Sequence, residues 1–271
     1  MAGFIYPAIW DEMLRGWHII FSTPMSSLTR MLSVLDLFSR DHMALTAEQI
    51  AEELKLTRTT SYRYIGELMQ AGLLVSTMGV YTLGPRIIQL DYRIRESDPL
   101  LNSAVDVLAE LARNAGGTGL LASIYNDQII NIYQETPGGK PSLTYSRGKA
   151  VPTFRSASSK VILSNLKPAR LKRIWAAHQH EPDVQALGAG WEAFLAHMQT
   201  IKAHGYWVSH GELDPGADGI AAPILFADGD VAGSMTLVFS NQSFKRYHEA
   251  ALGEMMLEAA AQVTKRLPGV G

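Results

Sequence analysis

Residues 45–85 read LTAEQIAEELKLTRTTSYRYIGELMQAGLLVSTMGVYTLGP, and the order of signals along this stretch decides the fold. Thr46 followed three residues later by Gln49 is the reciprocal capping pattern of a helix start, which satisfies two otherwise unpaired backbone N–H groups. Ala47, Ile50, Ala51 and Leu54 then recur on one helical face. Lys55, Leu56 and Thr57 leave room only for a tight corner, and Thr57 suits the cap of a second helix. That helix is expected to turn Ile65, Leu68 and Met69 inward and to end at Ala71-Gly72, where a left-handed residue is common. Residues 73–75 and 80–83 read as two short strands around Ser76-Thr77-Met78-Gly79, a hairpin with glycine in its turn. Helix, short turn, helix and small hairpin make a winged helix-turn-helix.

The second helix carries the chemistry. Its first turns, Arg58-Thr59-Thr60-Ser61-Tyr62-Arg63, hold two guanidinium groups, three hydroxyls and a phenol. Recognition helices present such N-terminal residues to the major groove, where Arg reads guanine and hydroxyls reach phosphates or bases. Arg58, Thr59, Tyr62 and Arg63 are the candidate base and phosphate contacts, with Thr60 and the wing in support. The alternative is a solvated helix in a winged-helix protein-interaction module.

Net charge does not point to nucleic acid by itself. The chain carries a formal charge of −2 over 271 residues, and residues 28–86 hold six basic and six acidic side chains. DNA affinity would then depend on where the charges lie and on dimerisation. The length suits two domains, and 47% apolar with 18% charged residues is an ordinary globular composition. Without a cysteine, disulfides and thiolate metal sites are excluded, and a reducing cytoplasm fits.

Residues 1–25 differ in character from the rest of the chain. Pro7, Asp11, Glu12 and Arg15 break any membrane-spanning run. No basic start or small-residue cleavage site marks a secretory signal. The segment is read as a disordered tail and an extension upstream of a start at Met25, with an arm packing on a partner subunit as the alternative. The helix-turn-helix domain is placed at 26–85, with Leu28, Met31, Leu32, Leu35 and Phe38 at helical spacing in a support helix. A linker helix is placed at 86–98, ending before Pro99.

From residue 99 onward, helices and strands alternate. Expected elements are a helix to Ala115, a hairpin around Asn126-Asp127 and a short strand at 142–145. Helices are expected next at 157–166, 168–178 and 191–204, then strands at 206–209, 219–226 and 231–239, and a long helix at 244–267. Hairpins with helices gathered on them predict an α+β sensor-type domain built on an antiparallel sheet.

Together these motifs carry a likeness. The chain resembles the IclR-type transcriptional regulators from Leu28 to Leu267. The likeness rests on the helix-turn-helix stretch quoted above, on VYTLGPRIIQL after it, and on GKAVPTFRSASSKVIL and IKAHGYWVSHGELDPGADGIAAPILFADGDVAGSMTLVF in the second domain. It implies an N-terminal winged helix, a linker helix and a GAF-like effector-binding domain. It also implies homodimers, with dimers of dimers as a further state, that bind double-stranded operator DNA and respond to a small metabolite. The sequence departs from the family pattern at Ser61 and Tyr64 inside the recognition helix, at a wing tip without a basic residue, at Arg155 and at Ser159.

An effector site is expected where Ser156-Ala157-Ser158-Ser159 begins a helix, because unpaired N–H groups and the positive dipole end favour a carboxylate there. The loop of residues 212–219 would cover it. By the resemblance, the lining would draw on Ala157, Ser158, Ser209, Ala217, Gly219, Ala221, Thr236 and Val238. Arg147 and Arg155 would clamp a small organic acid by bidentate hydrogen bonds, or else serve as surface or subunit-interface charges.

An enzyme using the C-terminal domain is the rival from another class. Ser156 and Lys160 miss the S-x-x-K spacing, since Ala157 stands where the serine is needed. No nucleophile is placed beside His210, and His178 and His180 lack a third metal ligand. No catalytic residue, metal, cofactor or membrane partner is expected.

Overall fold

The computed structural model describes residues 26–39, 41–138 and 143–268. The reading of residues 1–25 lies outside them. The chain separates into two compact units, with the boundary between Glu96 and Ser97. Among the described residues no helix is long and apolar enough to cross a membrane.

The first unit is the winged helix-turn-helix. It begins with α1 (Ser27–Leu32), capped by Ser26, and a 3-10 turn at Leu35–Leu37. The expected longer support helix is interrupted because the chain bends at Ser33, which places Val34 fully inside the core while Leu28 and Leu32 stay exposed. Strand β1 (Leu45–Thr46) leads into α2 (Ala47–Glu53), where the capping box forms: Thr46 N donates to Gln49 Oε1 at 2.8 Å and Gln49 N to Thr46 Oγ1 at 3.3 Å. Helix α3 (Arg58–Gln70) starts at the Thr57 cap. Its inward stripe is Ser61, Tyr64, Ile65 and Leu68, spaced i, i+3, i+4 and i+7. Met69 falls one step off this stripe and is exposed, contrary to expectation. The buried Ser61 hydroxyl donates to the Ala47 carbonyl at 3.0 Å, tying α3 to the start of α2. Polar Ser61 is tolerated inside because its hydrogen bond is made.

The wing is β2 (Leu74–Thr77) and β3 (Val80–Leu83), joined through Met78 and Gly79, both at positive φ. β1 adds a third strand by pairing with β3, Leu45 opposite Tyr81. Helix α4 (Arg86–Ser97) comes next and buries none of its side chains.

The second unit has a six-stranded antiparallel sheet in the order β6-β5-β4-β9-β8-β7. Its helix α5 (Pro99–Ala115) is capped by Asp98 and closed by Gly116. The strands β4 (Thr118–Tyr125) and β5 (Gln128–Glu135) turn through Asn126 and Asp127 as expected, and Arg170 and Arg173 hold Asp127 at 2.9 and 2.8 Å. Residues 143–145 form no strand; the third short strand is β6 (Ala150–Val151), paired with β5. The reason lies in the backbone partners of 143–145. Thr144 N donates to Asp214 Oδ2 at 3.1 Å, and the Tyr145 carbonyl accepts from Asn131 Nδ2 at 2.8 Å. Those groups are therefore used by side chains and not by a ladder.

Helices α6 (Ala157–Ser164), α7 (Pro168–His178), α8 (Pro182–Ala186) and α9 (Trp191–His204) come next, α8 without a sequence expectation. β7 (Trp207–His210), β8 (Ala217–Leu225) and β9 (Val231–Ser240) complete the sheet. The expected long terminal helix is divided into α10 (Asn241–Phe244) and α11 (Glu249–Arg266). Phe244, at the end of α10, turns into the core, and between the two helices the Tyr247 hydroxyl donates to the Ala115 carbonyl at 2.6 Å.

Alternation along β8 shows how the two faces are filled. Ile220, Ala222 and Ile224 join α5 and α11 in one cluster, whereas Ala221 joins α6 and α9, with Phe194 and Met198, on the other. Gly233 marks the closest approach in the sheet: a Cβ there would lie 2.2 Å from the Ala122 carbonyl oxygen and 2.7 Å from Leu100 Cδ2. Gly233→Ala is expected to cost about 2–4 kcal/mol, since a backbone clash must be relieved by strand displacement. Chemical denaturation would show it as a lowered midpoint, and an unchanged midpoint would mean that β4 and β9 separate more easily than their pairing suggests.

Candidate functional site

The exposed face of α3 carries Arg58, Thr59, Tyr62 and Arg63, brought together by the helical period from the first two turns. Thr60 is half-buried and its hydroxyl shares a 2.8 Å hydrogen bond with Thr57, so it serves the cap. The Arg58 guanidinium lies 2.5 Å from Glu48 Oε1, and the Tyr62 hydroxyl donates to the same oxygen at 3.3 Å. The Arg58 hydrogen bond holds the Glu48 carboxyl below its usual range, and Glu48 in turn pushes the Arg58 guanidinium up. Arg63 packs over the Tyr64 ring at 5.4 Å. The first helix of the motif thus orients two side chains of the second, which pattern reading of α3 alone missed. The signal was present in Glu48, on the first turn of α2, ten residues before Arg58.

In the second unit a cavity of about 50 Å³ opens between the sheet and the start of α6. Of the residues expected to line it, Ala157, Ser158, Ser209, Ala217, Gly219, Thr236 and Val238 do so. Ala221 lies on the same strand as Gly219 but one pair further along, under the cluster formed with α6 and α9. Arg147 and Arg155 are also absent from the lining. Arg147 Nε donates to the Ile132 carbonyl at 2.9 Å. Arg155 Nη2 donates to the Glu212 carbonyl at 2.6 Å, and its Nε lies 3.9 Å from Asp183. Glu212, Leu213 and Asp214 come from the loop expected to cover the site, whereas Asn131, Tyr145 and Val151 line the cavity without any sequence signal of their own, because they arrive from separate strands and loops.

Helix α6 begins with Ser156 at φ 134°, a conformation that non-glycine residues rarely adopt. Its hydroxyl accepts from Ser159 N at 3.1 Å, and its own N–H donates to Glu212 Oε2 at 3.0 Å. The other Glu212 oxygen accepts from Lys160 Nζ at 2.6 Å, with the lysine side chain only 8% exposed. A carboxylate therefore already sits at this helix end, held by a backbone donor and a paired charge. Ala157 and Ser158 occupy the next two positions, whose N–H groups have no acceptor within the helix. Behind α6, burial pushes His197 down, and Lys160 adds to the effect. Asp214, on the same cavity wall, also accepts from the Thr144 hydroxyl.

Two buried polar atoms on the cavity residues have no hydrogen-bond partner among the described residues, Asn131 Oδ1 and Thr236 Oγ1. Buried groups of this kind are uncommon, and here both lie on the wall of one cavity, where a water or a ligand could pair with them. Leu120, Leu143, Val151, Leu213 and Val238 form the apolar part of the wall. A mainly apolar pocket with a few convergent polar groups suits a small organic ligand.

Comparison with known proteins agrees with both halves. The model of the IclR helix-turn-helix domain matches residues 27–77, and that of the bacterial transcriptional regulator IclR C-terminal matches residues 94–265. The Pca regulon regulatory protein of Pseudomonas putida is 25% identical over 214 residues, covering 79% of this chain and 74% of that protein. The HTH-type transcriptional regulator XynR of Escherichia coli is 25% identical over 217 residues, covering 79% and 85%. Among solved structures, an IclR transcriptional regulator from Alicyclobacillus acidocaldarius superposes with a TM-score of 0.73 at 22% identity, over 91% of this chain and 100% of that one. An IclR homologue from Microbacterium hydrocarbonoxydans, complexed with 4-hydroxybenzoate, does so with a TM-score of 0.72 at 22% identity, over 89% and 99%.

Proposed function

This chain belongs to the IclR family of DNA-binding transcriptional regulators, which are not enzymes, and we propose that a small organic acid held at the start of α6 modulates its operator binding. The observation that carries the acid is the pair of N–H donors at Ala157 and Ser158, on a cavity beside a helix end that already binds the Glu212 carboxylate. The related structure with 4-hydroxybenzoate, an aromatic acid, gives the reading a precedent in the same fold. Helix donors, and not Arg147 or Arg155, take the acid group, since both guanidinium groups are directed to backbone carbonyls. Arg58, Thr59, Tyr62 and Arg63 contact the major groove, with Thr60 maintaining the start of α3.

A second copy of the chain completes the regulator. Helix α4 leaves Ile88 and Tyr92, one turn apart on the same face, more than half exposed within one chain, an apolar surface suited to dimer contact. The acid alters DNA binding by favouring one arrangement of the paired DNA-binding units, which requires that it bind the two arrangements unequally.

The test is a mobility shift with the gene's own upstream DNA at fixed salt, with and without a panel of small organic acids. Retention changed by one acid supports the reading; retention indifferent to every acid removes the acid and leaves the regulator. Gly219→Val provides a second check. A Cβ at 219 would stand 3.2 Å from Ser209 Oγ and 3.9 Å from Thr236 Cγ2, so the valine methyls fill the cavity. The variant should keep DNA retention and lose the response to acid by about tenfold or more, and an undiminished response would place the ligand elsewhere.

A further inference from the structure

We infer that the effector is a hydroxy acid whose hydroxyl donates to Asn131 Oδ1, an inference that rests on the organic-acid reading above. Asn131 is 2% exposed on β5. Its amide orientation is set by its own bond, because Nδ2 donates to the Tyr145 carbonyl at 2.8 Å and leaves Oδ1 toward no protein donor among the described residues. An amide oxygen can only accept, so the missing partner must be an O–H or N–H. Thr236 Oγ1, the other unpaired atom, can donate or accept and does not discriminate.

A neutral hydroxyl fits better than an ammonium. A buried ammonium needs an uncompensated carboxylate, and the two carboxylates on the wall are engaged. Glu212 is paired with Lys160 and the Ser156 N–H, and Asp214 with the Thr144 backbone and hydroxyl. With the acid group on the α6 donors, the ligand's far end meets Asn131 across the apolar wall of Leu120 and Val151.

The test measures binding to the full-length protein by calorimetry, with thermal shift in support, using matched ligands. These are 4-hydroxybenzoate, benzoate, 4-methoxybenzoate and 4-aminomethylbenzoate, then 3-hydroxypropionate, propionate and β-alanine. In at least one series the hydroxylated member should bind about tenfold or more tightly than its deoxy, methoxy and amino counterparts, since its loss leaves a buried acceptor unpaired. Asn131→Leu should erase that ratio. Asn131→Asp, which keeps an acceptor but gives up the donor to Tyr145, should retain it even if all acids bind more weakly. A ratio lost in both variants assigns Asn131 to holding the Tyr145 segment and overturns the inference. Equal binding of hydroxylated and deoxy acids, or of the amino compounds, overturns it while the organic acid stands. Failure of every acid to bind overturns both.

Discussion

Replacing Arg58 and Arg63 together by alanine is expected to weaken operator binding by on the order of a hundredfold or more at fixed salt, each good base contact contributing about 1–3 kcal/mol. Both side chains are exposed on the first two turns of α3, and neither belongs to the core of Val34, Ile50, Tyr64, Ile65 and Leu68. Folding should therefore be preserved, and the melting temperature should move little. The effects of the two substitutions should be separable by salt. Loss of a phosphate contact lowers the slope of log affinity against log salt by about one, whereas loss of a base contact lowers discrimination between operator and scrambled DNA. Arg58 is the better candidate for base readout, because it stands on the first turn of α3, the end that a recognition helix presents to base edges. Unchanged retention by the double variant would remove α3 from the DNA interface and revive a protein-contact role for this helix.

The second large effect is expected at Lys160. Its side chain is 8% exposed and its ammonium is paired at 2.6 Å with Glu212, itself 28% exposed. Lys160→Met keeps most of the apolar stem and removes the charge, leaving the Glu212 carboxylate with the Ser156 N–H. Breaking one partner of a largely buried pair costs about 2–4 kcal/mol, read as a melting temperature lower by roughly 5–10 °C for a unit of this size. Acid binding should weaken as well, because an uncompensated negative charge then stands on the cavity wall. Adding Glu212→Gln should restore much of the stability, since the neutral pair buries no lone charge. Equal stability of Lys160→Met and wild type would show that water compensates Glu212 well enough to make the pair dispensable.

How legible these sites were depends on the distance over which their parts interact. The start of α3 was readable because Thr46 with Gln49, Thr57 with Thr60, and the four exposed residues of the first two turns lie within one or two helical turns of each other. The role of Glu48 was less visible, since its partners Arg58 and Tyr62 are ten and fourteen residues away across a corner. In the cavity, the serines at the start of α6 were found from a local helix signal, and Gly219, Thr236 and Val238 from the resemblance. Asn131 was not, because nothing around it distinguishes a ligand-facing strand residue from any other polar residue in an alternating strand. Arg155 illustrates the converse. It directly precedes the helix cap, yet its guanidinium turns to the Glu212 carbonyl and Asp183, for neighbouring residues need not share a direction.

By itself, the sequence determined the elements whose causes are local: the caps of α2 and α3, the wing hairpin with Gly79 in its turn, and the turn at Asn126-Asp127. Only the tertiary structure decided which backbone groups pair across long separations. It paired β3 with β1 as well as β2, moved the short strand from 142–145 to Ala150–Val151, bent the chain at Ser33 to bury Val34, and closed Asn131, Ser156, Glu212 and Thr236 around one cavity. Capping and turn energies are set within a few residues and so are written in adjacent letters. A ladder, a buried charge pair or a cavity depends on which distant surfaces exclude water together, and that selection is made by the packed chain as a whole.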